Sequence, residues 1–212
     1  MRFCPSSIYG VGRFGIVLLA FACLAPQSAS GQLWLQTARV VTPVEQGPVR
    51  VMLDSLVSVM ERRDIEGRRS PEAPEMTVAE LRNELIDEEQ IGLSGANHAF
   101  IDYRFSIGSG TPFQQQVSKI HFVFRPGPNQ ADVPVLYLDM QLPWVDQFLH
   151  NKGTSLSTNE PVLIPFQQHL GFAQIARPDE TQIVELAGRP VREGFQEEKE
   201  TLIRKVERLT YK

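Results

Sequence analysis

The chain has 212 residues and a net charge of −4, with 22% charged and 42% hydrophobic residues. That length suffices for one domain with a substantial core, and the balance is that of a globular chain, not a disordered or fibrous one. The acidic excess, with no Lys/Arg cluster interleaved with aromatics, argues against nucleic acid or an anionic membrane surface as a partner.

Arg2 and Arg13 flank the start of the chain, Gly15 to Ala25 is an apolar run, and Pro26-Gln-Ser-Ala-Ser-Gly31 supplies small residues. This is the pattern of a secretory signal peptide, with cleavage expected after Ser30 or Gly31. The apolar run falls short of the roughly 20 residues that a membrane span needs, so no stable span is expected after cleavage. Cys23 invites a lipid anchor, but Phe21 and the missing Leu three residues before it depart from the bacterial lipoprotein pattern. Cleavage would remove Cys4 and Cys23, both cysteines of the chain. The mature protein could then form neither a disulfide nor a thiolate metal site. The expected organisation is a signal peptide over 1–31 and a single domain over 32–212, exported to the periplasm or the extracellular space.

Leu33 to Val41 is apolar and β-prone and reads as an opening strand. Gly47-Pro48 then places Pro at the first position of a helix. Val49, Met52, Leu53, Leu56, Val57 and Met60 recur at helical spacing; a strand would also fit the valines, but not Met52 and Met60. Residues 62–76 are charged and Pro-containing around Ser70-Pro-Glu-Ala-Pro74, as in a mobile surface loop. Thr77-Val-Ala-Glu80 is a capping box, in which hydroxyl and carboxylate each satisfy an orphan amide. Its helix should run to about Gln90, with Val78, Leu81, Leu85 and Ile86 inward, and end at Gly92 and Gly95.

The chain is organised around residues 98–141, which read as three antiparallel strands. In His98 to Ile107, residues Ala99, Ile101, Tyr103, Phe105 and Ile107 share one face, and His98, Asp102, Arg104 and Ser106 the other. Only Phe100 breaks this period of two. Val117 to Arg125 repeats the pattern, with Ser118, Ile120, Phe122 and Phe124 against Lys119, His121 and Arg125. Val133 to Met140 is apolar on both sides, which predicts a deep or doubly covered strand. Gly108-Ser-Gly-Thr-Pro112 and Pro126-Gly-Pro-Asn129 supply the turns.

Pro143 to His150 reads as a short helix closed by Gly153, followed by a polar loop, Thr154 to Asn159. Pro161 to Phe166 and Phe172 to Ala176 read as short strands. Arg177-Pro-Asp-Glu180 is a turn. Thr181 to Ala187 is the last expected strand, with Val184 and Leu186 on one side, stopped by Gly188-Arg-Pro190. Gln196 to Leu209 is an amphipathic helix with Phe195, Leu202, Ile203, Val206 and Leu209 as its stripe. The expected class is therefore α+β: a mostly antiparallel sheet of five or six strands with flanking helices and an amphipathic C-terminal helix.

The chemistry is sparse. His98, His121, His150 and His169 show no local ligand spacing, and no metal or cofactor is expected. Asp146 and His150 lie four apart on the short helix, where a carboxylate could orient an imidazole for hydrolysis. No Gly-x-Ser-x-Gly accompanies them. Asp102, Arg104, Lys119 and His121 could share a site on the polar sheet face, though cross-strand charge pairing needs no function. Gly92-Leu-Ser-Gly95 lacks the Lys-Ser/Thr of a phosphate loop. Trp144 and Phe148 share a helix face and read as core. No catalytic, cofactor or metal residue is assigned. The expected role is a non-catalytic exported protein that binds another envelope or extracellular protein. The alternatives are a carrier of a small apolar ligand, held between the sheet and the C-terminal helix, and a hydrolase using Asp146 and His150.

Overall fold

A computed structural model describes residues 34–45, 47–108, 110, 112–127, 130–155, 162–191 and 196–210. The expected signal peptide with its two cysteines, most of the polar loop from Thr154 to Asn159, and Phe195 lie outside these residues.

The architecture is α+β. β1 (Trp34–Pro43), β2 (His98–Ile107), β3 (Gln114–Phe124), β4 (Val133–Asp139), β7 (Gln182–Leu186) and β8 (Arg189–Pro190) form one antiparallel sheet in the order β4-β3-β2-β1-β7-β8. A two-residue pair, β5 (Gly153–Thr154) with β6 (Ile164–Pro165), stands apart. Between β1 and β2 come α1 (Pro48–Arg63) and α2 (Val78–Glu89). After β4 come α3 (Pro143–Asn151), α4 (Phe166–His169) and α5 (Phe172–Ala176), and α6 (Gln196–Thr210) follows β8.

Helical spacing decides α1. Met52, Leu53, Leu56 and Met60 are buried while Val51 is 41% exposed, which no alternating strand would produce. The capping box forms as expected: the Glu80 amide donates to Thr77 Oγ1, and the Thr77 amide donates to Glu80 Oε2 at 2.8 Å. Val78, Leu81 and Leu85 face inward, but Ile86 points to solvent, one position off the narrow apolar stripe.

The inner face of the sheet carries Ala38, Val40, Ala99, Ile101, Tyr103, Phe105, Ile120, Phe122, Leu136 and Leu138, all buried. Among the described residues, each of the helices α1 to α6 contributes buried side chains to that same core. The Tyr103 hydroxyl, fully buried, donates to the Leu170 carbonyl at 3.0 Å. Burial of the phenol raises its pKa, so it remains a donor.

Several expectations need correction. Of the two alternatives for β4, the deep position falls, because β4 is an edge strand, and cover on both sides holds in part: Leu136 and Leu138 point inward, and residues 67–71 partly cover Tyr137 on the other face. Phe172 to Ala176 is a helix, because Phe172, Ile175 and Ala176 are buried at helical spacing behind Gly171. Of Pro161 to Phe166, only Ile164 and Pro165 are extended among the described residues, and Phe166 opens α4. In β7 a bulge opposite Arg39 and Val40 makes Val184 the extra residue, so Ile183 enters the core in its place. Gly188-Arg-Pro190 does not simply stop that strand. Ala187 (φ 51°) and Gly188 (φ 75°) form a two-residue hairpin loop with both φ positive, and Arg189 and Pro190 turn back as β8.

Candidate functional site

The strand register brings part of the expected polar cluster together on the outer face of the sheet. One row reads Glu185, Arg39, Asp102, Lys119, Asp139 across β7, β1, β2, β3 and β4. Its charges alternate in sign. Arg39 grips Asp102 with two bonds, 2.6 Å through Nε and 2.9 Å through Nη2, and lies 3.7 Å from Glu185. The Asp102 bond holds the Arg39 guanidinium above its ordinary pKa, against the opposing effect of burial. Lys119 forms no ion pair among the described residues.

The neighbouring row is Val41, Phe100, His121 and Tyr137. His121 stands edge-on to Tyr137, with ring centres 5.7 Å apart and planes at 89°. Its Nε2 lies 3.0 Å from the Arg69 carbonyl; an imidazole N–H donating there fixes the ring. Arg125 sits 5.7 Å from the Phe100 ring centre, within cation–π range. The Tyr137 phenol is raised above its usual pKa, first by burial and then by Asp139 and Asp102.

Arg39, Phe100 and Tyr137 from these two rows line a pocket of about 300 Å³, together with Pro71. Asp102, Lys119 and His121 line it. Arg104 shares their face but pairs with Thr37 and Gln116, one row away, and stays outside. Sequence reading missed Arg39, Phe100, Tyr137 and Pro71. A signal for one of them was present: Phe100 is a large ring at the position that breaks the period of two.

The segment that supplies Pro71 is tied to the sheet. The Tyr137 amide donates to the Arg68 carbonyl at 2.8 Å, and Gly67 and Met76 exchange backbone bonds of 2.8 and 2.7 Å. Arg69 is 9% exposed and bonds Glu84 and Glu88 on α2 at 2.7 and 2.8 Å and the Pro134 carbonyl at 3.1 Å. A Cβ at Gly67 would stand 2.6 Å from the Met60 methyl, so a larger residue there would displace the end of that side chain.

The other expected residues separate. Asp146 and His150 do meet, with Oδ1 and Nδ1 3.3 Å apart, but their side chains are 65% and 48% exposed. His150 Nδ1 is also 2.9 Å from the Asp146 carbonyl. Asp146 borders a recess of about 130 Å³ that His150 does not line. Trp144 and Phe148 pack on the core, with Phe148 stacked on Phe166 at 5.5 Å.

His98 and His169 line one cleft of about 790 Å³ at the end of the sheet, a pairing that no local spacing announced. His169 is buried, with Nε2 3.2 Å from the Thr154 carbonyl. His98 Nδ1 lies 3.0 Å from Asn97 Oδ1, and burial, followed by Arg125, lowers its pKa. No group of three or more His, Cys, Asp or Glu residues is placed to hold a metal among the described residues. No helix among them is long and apolar enough to cross a membrane. No protein family matches this chain, and no match to it is found among curated proteins or solved structures.

Proposed function

We propose that this protein is an exported, non-catalytic binding protein that holds another envelope or extracellular protein on the outer face of its sheet. One observation carries the reading: the half-buried rings of Phe100, His121 and Tyr137 lie beside a row of charges that alternate in sign. An apolar centre with a polar border is the usual anatomy of a protein interface. Alternating charges select a partner with the reciprocal order and repel one of uniform sign, which gives specificity more than strength. The signal-peptide pattern supports the address.

The test is cross-linked capture from the native envelope fraction, using the wild-type chain beside Phe100→Glu and Lys119→Glu. A single partner retained by the wild type and lost by about tenfold or more with Phe100→Glu is the expected outcome, as for a central interface anchor. Lys119→Glu should weaken it less. Recovery of nothing but the chain itself, or equal recovery with all three, would overturn the reading.

A further inference from the structure

A second groove, remote in register from the outer face, lies between α5, α6 and the start of β3, with a volume of about 550 Å³. We propose that it binds a small, uncharged, planar aromatic molecule with hydrogen-bonding edges. The proposal does not depend on the partner reading above.

The floor makes the case for a ring. Phe113 and Phe172 line the groove and belong to an aromatic cluster with Trp34, Tyr103 and Phe105. Trp34, Phe105 and Phe113 lie within 12–26° of parallel, with centres 6.0–6.3 Å apart. Phe172 meets Phe105 edge-on at 5.1 Å. Phe172 has no exposure and backs the floor, so a planar guest extends this offset array through the half-buried ring of Phe113.

The rim makes the case for polar edges. Gln115, Gln168 and Gln174 line the groove, and none of their side-chain amides bonds another group among the described residues. Each amide offers two N–H donors and a carbonyl acceptor. Three such groups around an aromatic floor suit a guest with a hydrogen-bonding group on its perimeter, the usual division of labour in a small-molecule site. The volume falls within the roughly 300–1,000 Å³ typical of such sites.

The charges argue against an ion. The two charged side chains of the groove, Arg177 and Glu207, are bonded to one another. They leave no free charge to repay an ionic guest for lost water. This narrows the sequence expectation of an apolar ligand between the sheet and the C-terminal helix to a neutral ring with hydrogen-bonding groups.

The test titrates the full chain with indole, naphthalene and indole-3-acetate, following the side-chain amide signals of Gln115, Gln168 and Gln174 by NMR. Indole should saturate, shift those signals, and bind about fivefold or more tightly than naphthalene or indole-3-acetate, the worth of about one net hydrogen bond. The double variant Gln168→Leu/Gln174→Leu should lose that preference while keeping naphthalene binding. Ala173→Tyr, which puts a ring into the groove, should abolish binding of both neutral probes. Phe100→Glu, on the outer face, should bind indole as the wild type does, so failure of the partner reading would leave this result intact. No saturable shift, equal affinity for indole and naphthalene, or wild-type binding by Ala173→Tyr in a chain with an unchanged unfolding transition would overturn the proposal.

Discussion

The same strands present two faces governed by different physics. On the inner face Ile101, Phe105, Ile120 and Phe122 have no exposure, and rings and branched chains meet the buried stripes of the helices. On the outer face the registers carry charges, amides and a single row of half-buried rings. Val41 and Val123 are each 3% exposed yet stand apart from the main core cluster, so burial on that face is local, between neighbouring side chains. The inner face therefore holds the fold together, and the outer face is free to vary in chemistry.

Substitutions can break or sharpen this contrast. The largest effect is expected at Phe105, which touches Trp34, Tyr103, Phe113 and Phe172. Phe105→Ala should cost about 3–5 kcal/mol in urea unfolding, since the cavity cannot close among so many rigid neighbours. Tyr103→Phe keeps the ring and removes only the donor to the Leu170 carbonyl. It should cost about 1–3 kcal/mol, the penalty of leaving a buried acceptor without its bond, measured by the same unfolding curves. The smallest effect belongs to the outer face. Asp102→Asn weakens a charge pair whose Arg39 side chain is 44% exposed, and should cost under about 1 kcal/mol. An outer-face loss as large as that of Phe105→Ala would erase the distinction between the two faces.

The fold was largely legible because its signals are local. Alternation in residues 98–107 marked β2, the Thr77–Glu80 box marked the start of α2, and Met52 and Met60 separated helix from strand in α1. Phe172 to Ala176 misled because a five-residue apolar run has too few positions to distinguish a period of two from 3.6. The Val184 bulge misled because an extra residue shifts the alternation without any mark in composition. The sites were less legible for a different reason. Asp102, Lys119 and His121 could be placed on one face from alternation alone, but Arg39 and Tyr137 join them only through the strand order. The groove under α6 draws Phe113, Gln168 and Val206 from three distant stretches, with no spacing to connect them.

Residues 67–69 form a strap along β4. β4 lies at the margin of the sheet, where free backbone groups offer a template to any neighbouring molecule. Two of those groups are already taken: the Tyr137 amide by the Arg68 carbonyl, and the Pro134 carbonyl by the Arg69 guanidinium. Pro134 itself brings no amide. Fibre growth along this border would have to peel the strap away first, and with it the Arg69 clasp on α2.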